Sequence, residues 1–427
     1  MSAALSYLDA LKYLLPEVAL TLGLCTVLVW DLLDKEKRWR ETGFLSFGFL
    51  LLAGLLLVQR LGWVSADVFG MVTVDRFATL FKLFITAAVA VVIGFDLLDR
   101  RTPREGKGET YFLLLTAALG GFFLVGTYNL LLLYLGLETL GLSSYALAGM
   151  VKRDRAGAES ALKYVIYGAL ASGILIFGAS FLYGMSGSLD VRRIAPFILQ
   201  AVEGGHAVQV VLPTLLILVG FGFKLSVFPF QWWAPDVYQG VSTPVATFLA
   251  VGSKGVAVGG VLRYLAGAYA GVTQTEIPLA HSSGFRHSLL MLLALVSAAT
   301  MIFGNLAAIR QTNLKRLLAY SSVAHAGYIL MGIALLDERG FEAAVLYTFI
   351  YYFMNLGAFG AVIYFANQAG HEEISGLRGL GRQHPLVGVA FVVFLVSLTG
   401  LPPTAGFAGK WYLLLAALDG GLGWLAL

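Results

Sequence analysis

Seven ionisable residues lie deep inside apolar stretches of this 427-residue chain: Lys82, Glu138, Lys163, Lys224, Lys254, His325 and Lys410. A charged side chain at the centre of a membrane-spanning helix costs about 3 kcal/mol on insertion scales, so each of them needs a reason. The types present are a carboxylate, amines and an imidazole, which all exchange protons. Desolvation disfavours the charged form of a lysine, and a nearby carboxylate favours it again. A Glu–Lys pair whose separation can change is therefore a proton switch.

Hydroxyl groups accompany these residues at helical spacing. Glu138 lies in "NLLLLYLGLETLGLSSYALAG" with Tyr134 and Tyr145 on the same face. Ser321, His325 and Tyr328 stand at i, i+4 and i+7, and Lys163 pairs with Tyr167. Lys254 is in line with Thr247, and Tyr347, Tyr351 and Asn355 share one stripe. Any single member could be a satisfied internal hydrogen bond. Polar stripes on five helices together fit a chain of proton-carrying groups. Other charges sit near the ends of apolar stretches, where snorkelling removes most of the cost. Glu17, Asp31, Arg60, Arg263, Lys315, Arg316 and Glu342 are read this way, which leaves Glu138 as the only deep carboxylate.

The elements that position these residues follow from composition. The chain is 58% hydrophobic and 13% charged, with a mean hydropathy of +0.81. Soluble domains carry roughly twice that charge. Apolar runs long enough to cross a bilayer recur throughout, without the ten-residue alternation of a barrel. The fold class expected is an all-α integral membrane protein of about 13–14 transmembrane helices. The spans are placed at 14–33, 43–63, 74–98, 110–128, 129–150, 158–185, 207–230, 242–267, 286–309, 314–336, 341–367 and 386–416, and a further apolar run begins near Gly420 and stops at Leu427. An apolar run that ends so abruptly suggests that part of the natural C-terminus is missing. "SLDVRRIAPFILQAVE" and "HEEISGLRGLGRQHP" are expected at the membrane interface or as polar connectors.

Lys and Arg divide unevenly among the connections. "DKEKRWRE", "DRRTPREGK", "KRDR", "RQTNLKR" and "GLRGLGR" carry sixteen, and the alternate connections about half as many. The positive-inside tendency then puts the N-terminus outside. The slight net charge of +4 reflects this topology and gives no sign of nucleic-acid binding. The first residues lack the basic start and small-residue cleavage site of a signal peptide. The single cysteine, Cys25, cannot make an intrachain disulfide or hold an iron–sulfur cluster.

Two proline breaks sit beside lysines. Pro229 follows Lys224 in "GFGFKLSVFPFQWWAPD", and "LTGLPPTAGFAGK" precedes Lys410. Proline removes a backbone donor, and the freed groups are tolerated at membrane depth where they line a cavity or are buried in protein. Glu138 precedes Lys224 by 86 residues and His325 precedes Lys410 by 85, on spans five apart. An odd number of spans reverses the sense of crossing, so two inverted five-helix repeats are expected, each with a broken helix. The domains follow: 1–108 as three N-terminal spans, 109–267 as the first repeat and 285–427 as the second, apparently truncated.

These residues resemble a known family. "NLKRLLAYSSVAHAGYILMG", "GFGFKLSVFPFQWWAPDVYQGVSTPV", "LLYLGLETLGLSSYAL" and "LTGLPPTAGFAGKWYLL" are similar to signatures of the antiporter-like membrane subunits of respiratory complex I (NADH:quinone oxidoreductase). The resemblance covers nearly the whole chain, and Lys254 with Lys410 is most similar to the N-type members. It implies a proton-translocating subunit in which Glu138 and Lys224 interact, Lys254 is the central relay, and His325 feeds Lys410; Lys163 is a further candidate from its own polar line, which either conducts or merely pairs. It implies a multi-pass protein of the inner (cytoplasmic) membrane, set among neighbouring antiporter-like, small membrane and peripheral subunits. No cofactor is expected in this chain; NADH, FMN, iron–sulfur clusters and quinone are expected in partner subunits. The same resemblance extends to Mrp-type cation/proton antiporter subunits and membrane-bound hydrogenases. A cation path would add oxygen ligands inside the spans.

Overall fold

The computed structural model describes residues 7–34, 36, 38–150, 155–274 and 280–426. Lys35, Lys37 and most of "KRDR" therefore lie outside the described residues, as do the domain ends at 1–6 and Leu427. The chain begins with α1 (Tyr7–Tyr13), α2 (Leu15–Leu33) and α3 (Trp39–Gln59), then a two-stranded antiparallel hairpin of β1 (Ala66–Val68) and β2 (Val72–Val74). There follow α4 (Arg76–Leu98), α5 (Lys107–Val125), α6 (Leu130–Ala148), α7 (Arg155–Ser186), α8 (Val191–Glu203) and α9 (Val208–Leu225). Next come α10 (Trp233–Gly240), α11 (Thr243–Phe248), a π-helical turn at Leu249–Ser253, α12 (Lys254–Gln274) and α13 (Ala280–Ile309). The last are α14 (Leu314–Ala334), α15 (Glu338–Ala369), α16 (Leu380–Gln383), α17 (Pro385–Thr399), α18 (Ala405–Asp419) and α19 (Gly423–Ala426).

Eleven helical segments among the described residues are long and apolar enough to cross a bilayer. The span expected at 386–416 is instead two short helices, α17 and α18, parted at Gly400–Thr404. The extended run 207–230 likewise ends at Leu225, and the chain resumes helix only at Trp233. In both places proline denies the backbone donor that would continue the helix. The apolar run near Gly420 contributes the single turn α19. The stretch "SLDVRRIAPFILQAVE" forms α8, with Val191, Ile194, Ile198, Ala201 and Val202 buried along one stripe and Arg192 and Arg193 exposed.

Two helix starts are built alike. Asn129 caps α6, its side chain accepting from the amides of Leu131 and Leu132. Asn313 caps α14, accepting from Lys315 and Arg316. Each cap sits in an isolated antiparallel bridge, Asn129 with Asp190 and Asn313 with Glu373. Close crossings precede both caps. A methyl group on Gly120 would lie 2.6 Å from the amide nitrogen of Leu140, and one on Gly304 would lie 2.5 Å from that of Ala324. Only glycine allows α5 to meet α6, and α13 to meet α14, at this distance.

Several charges expected to snorkel are instead buried between helices. Glu17 is 4% exposed and accepts from Lys82 Nζ at 2.5 Å, with Arg60 Nη2 at 3.6 Å on its other oxygen. Arg60 also donates to the carbonyl of Tyr13. Asp96 and Lys107 pair at 3.1 Å, with Tyr111 donating to the same carboxylate at 2.8 Å. Arg263 makes a fork onto Asp75, and Lys315 reaches Glu372. Glu138 is thus not the only carboxylate in the interior. Position along a helix did not reveal which side of it faced protein.

Replacing Glu17 by Leu leaves two buried cations facing each other. Loss of one member of a buried pair costs about 3–5 kcal/mol. We expect a clearly lowered thermal midpoint for the detergent-solubilised protein, partly recovered in Glu17→Leu/Lys82→Met; an unchanged midpoint would refute the pairing. Gly136→Val, whose added carbon meets the Leu124 amide nitrogen at 2.6 Å, should prevent stable folding. Gly48→Val, with open space around it, should be silent in the same assay.

Candidate functional site

Lys224 occupies the last turn of α9 and is 2% exposed. The helix stops at Ser226, whose φ of 59° is left-handed. Its ammonium has no carboxylate within ion-pair distance among the described residues. It donates instead to the Tyr164 hydroxyl at 3.3 Å and Ser144 Oγ at 3.4 Å, beneath the ring of Tyr145. Glu138, half-buried on α6, meets Lys224 across a cavity rather than by contact. Leu137, Glu138, Tyr145, Ser172 and Lys224 are among its walls, and it has room for about one water. Ser172 Oγ is buried and takes no partner among the described residues, which suits a water in that space.

Lys254 begins α12 just after the π turn and is 4% exposed. A π turn leaves backbone groups out of the regular ladder, a device frequent at functional sites. Here the Ala250 carbonyl accepts from Tyr351 Oη at 3.3 Å. Lys254 Nζ donates to Ser322 Oγ at 2.5 Å and to the Ser322 carbonyl at 3.3 Å. Tyr238 on α10 approaches the same Ser322 hydroxyl at 3.5 Å. A second water-sized cavity is walled by Leu225, Lys254, Ser322, Thr348 and Tyr351, among others. The expected partner Thr247 is not part of this: its hydroxyl donates to Thr243 in its own helix.

His325 is 3% exposed and shares a 2.6 Å hydrogen bond through Nδ1 with the Tyr347 hydroxyl. The rings of Tyr328 and Tyr351 lie 5.6 and 5.1 Å from its own. Lys410 sits in α18 after the second break. Its ammonium lies 4.4 Å over the Tyr328 ring and donates to the carbonyls of Thr399 and Leu398, at 3.0 and 3.1 Å. Those carbonyls end α17, where the helix dipole favours a cation. Tyr351 therefore touches both the Lys254 cavity and His325, and Tyr328 touches both His325 and Lys410. Asn355 donates to Tyr351 in its own helix and does not join them.

Lys163 is placed differently from the others. Its side chain is 39% exposed and pairs with Asp236 at 2.7 Å and Glu159 at 2.8 Å. Tyr167 is exposed; Tyr164, one residue after Lys163, is the one that reaches Lys224. Two further groups had weak sequence signals. Ser322, in place of the expected Ser321, holds Lys254, and "YSSVAHAG" offers both serines equally. Asp236, in a half-buried spot, accepts from Lys163 and from Arg316 Nη1, each at 2.7 Å. Burial raises the pKa of this carboxyl, but the bonds from Lys163 and Arg316 outweigh it and hold the group below its usual value. Lys82 is buried but faces Glu17, away from this line.

Among the described residues no cluster of His, Cys, Asp and Glu could hold a metal ion. What the arrangement offers is a row of bases joined by hydroxyls and small cavities.

Residues 127–427 match the transmembrane family described as NADH:quinone oxidoreductase/Mrp antiporter. NADH-quinone oxidoreductase subunit N of Anaeromyxobacter sp. (strain Fw109-5) is 41% identical, covering 96% of this chain and 82% of its own. The subunit N of Chlorobium chlorochromatii (strain CaD3) is 37% identical over 97% of this chain and 80% of its own. Among solved structures, a chain of respiratory complex I from Thermus thermophilus superposes with a TM-score of 0.78 at 33% identity, covering 96% of this chain and 85% of that one. A chain of the Mrp complex from Dietzia sp. DQ12-45-1b shares the fold, with a TM-score of 0.82 at 24% identity over 97% of this chain and 76% of that one. The chain belongs to the membrane-subunit family shared by NADH:quinone oxidoreductases and Mrp antiporters.

Proposed function

We propose that this chain is a proton-translocating membrane subunit of an NADH:quinone oxidoreductase, of the N type. One observation carries the reading: Lys224, Lys254 and His325 are buried and Lys410 half-buried, with Tyr and Ser hydroxyls and water-sized cavities beside them, inside a membrane-spanning bundle. Glu138 and Lys224 form the first exchange site, with a water passing the proton across their shared cavity. Lys254 receives and returns protons through Ser322. His325, held by Tyr347, passes them to Lys410. Redox chemistry at NADH, FMN, iron–sulfur and quinone sites of partner subunits supplies the driving force. The chain sits in the inner membrane among other antiporter-like and small subunits, with its N-terminus outside.

The two halves of the path act as inverted repeats, roughly 109–267 and 285–427, beside the N-terminal spans of 1–108. The repeated caps support this: Gly304 follows Gly120, and Asn313 follows Asn129, by the same 184 residues. In that register Ser322, not His325, stands where Glu138 does, and His325 lies one turn further along α14. A cation path of the Mrp kind is the weaker reading. The interior carboxylates Glu17 and Asp96 are each taken up by a lysine, and Glu138 faces Lys224 across their cavity, so each of these three carboxylates already has a cation for company.

In complex reconstituted into vesicles, Lys224→Ala and Glu138→Gln should each cut NADH-driven proton transport by at least about 100-fold, the lower end for loss of a positioned proton donor or acceptor. Coupled pumping at the normal rate in either variant would end this reading. Ser322→Ala removes the hydroxyl that holds Lys254 and should lower pumping by about 10- to 100-fold, the worth of one hydrogen bond to a charged group. Ser322→Thr, which keeps the hydroxyl, should retain it.

A further inference from the structure

We infer that Asp236 is a positioning residue for proton transfer: it pins α10 between the two halves of the chain and so sets how the Lys224 and Lys254 sites lie relative to each other. This rests on the proton-path reading above.

The geometry is that of a strut. α10 is the eight-residue piece that follows the first break, and it touches each lysine's surroundings through one aromatic ring. At its start, Trp233 donates to the Phe223 carbonyl, next to Lys224, at 3.0 Å and stacks on Tyr164 with ring centres 4.3 Å apart. Tyr164 is the hydroxyl that accepts from Lys224. Towards its end, Tyr238 approaches the Ser322 hydroxyl that holds Lys254. A shift of α10 therefore moves the partners of both lysines together.

Asp236 lies between these two aromatics and is the residue that ties α10 to both halves by charge. One carboxylate oxygen accepts from Lys163 on α7 at 2.7 Å, and the other from Arg316 on α14 at 2.7 Å. Its backbone carbonyl accepts from Ser160 at 2.9 Å. Arg316 is further fixed by Gln239 at 2.9 Å and Gln311 at 3.2 Å, and Lys163 by Glu159 at 2.8 Å. The side chains of Asp236, Lys163 and Arg316 are 34%, 39% and 27% exposed. Ion pairs in such positions add little to stability. A carboxylate shared between two helices still fixes where they stand, and proton transfer falls steeply with misplacement. The second break places its own ionisable residue alike: Asp236 is seven residues past Pro229, and Lys410 seven past Pro403.

The test uses the whole complex in proteoliposomes, with protons moved per electron, quinone reduction rate and thermal midpoint measured together. Asp236→Asn should lower protons per electron by at least about twofold, the small end of the coupling seen within side-chain networks. Quinone reduction and the thermal midpoint should stay near those of the parent, and Asp236→Glu should keep the normal ratio. An unchanged ratio in Asp236→Asn overturns the inference, and so does a ratio that falls only in step with the thermal midpoint. If Asp236→Asn fails to assemble, Lys163→Gln removes one exposed partner instead, and an unchanged ratio there is equally decisive against it. Lys224→Ala is measured alongside. Normal pumping in that variant sinks the proton-path reading itself, whereas loss there with a normal ratio in Asp236→Asn sinks only the strut.

Discussion

An ammonium group inside a membrane protein must be compensated, because hydrocarbon offers it nothing. This chain compensates its buried cations in two distinct ways. Lys82, Lys107, Arg263 and Lys315 each face a carboxylate: Glu17, Asp96, Asp75 and Glu372. Lys224, Lys254 and Lys410 make their direct contacts with hydroxyls, carbonyls and rings, Glu138 lying across a cavity from Lys224. Opposite charge compensates the first set, and hydrogen-bond acceptors and aromatic faces compensate the second. The first set fastens helices to one another, and the second is the set to which the proposed proton path is assigned. Lys82 and Lys107 lie on α4 and α5, while Arg263 and Lys315 share α12 and α14 with residues of the proposed path.

The breaks follow from the same constraint. Neutral acceptors strong enough for an ammonium are scarce in an apolar interior, and a continuous helix uses its carbonyls internally. Ending α17 at Gly400 releases the carbonyls of Leu398 and Thr399 for Lys410. The π turn before Lys254 and the stop after Lys224 loosen the backbone at the other two lysines. The capped, glycine-tight pairs α5–α6 and α13–α14 are the rigid parts against which these looser segments are held.

The sequence shows the interior bases without a directly paired carboxylate clearly and the ion-paired set poorly. Lys224, Lys254, His325 and Lys410 are legible because charge within an apolar run is costly wherever it lies around the helix. Glu17, Arg60, Arg263 and Lys315 lie near helix ends, where distance along the axis allows either snorkelling or an internal pair. Only the direction a side chain faces decides between them, and near-uniformly apolar helices such as α3 give no periodicity from which to read it. Lys163 fails in the opposite sense: it is far enough along α7 to seem deep, yet it points to a half-exposed carboxylate. Ser322 and Tyr164 are hidden for a third reason. Neutral hydroxyls are cheap to bury when bonded, so nothing in the sequence distinguishes those that hold a lysine from those, such as Thr247, that bond their own helix.

The register of the two halves bears on how a proton would advance. With Asn129 and Asn313 aligned, Glu138 falls opposite Ser322, so the position that supplies a carboxylate in the first half supplies a hydroxyl in the second. Beyond Lys224 the row then contains Lys254, His325 and Lys410 with no carboxylate among them. Like charges in a poorly screened interior repel, and the repulsion is far stronger there than in water. On the proposed path, neighbouring bases therefore resist being charged together, so a proton arriving at one favours departure from the next. Glu138 sits at the end of the row where a first proton can be held beside a counter-charge. On the proposed path, a single carboxylate in a row of bases would make the two halves unequal, where a symmetric duplication would make them alike.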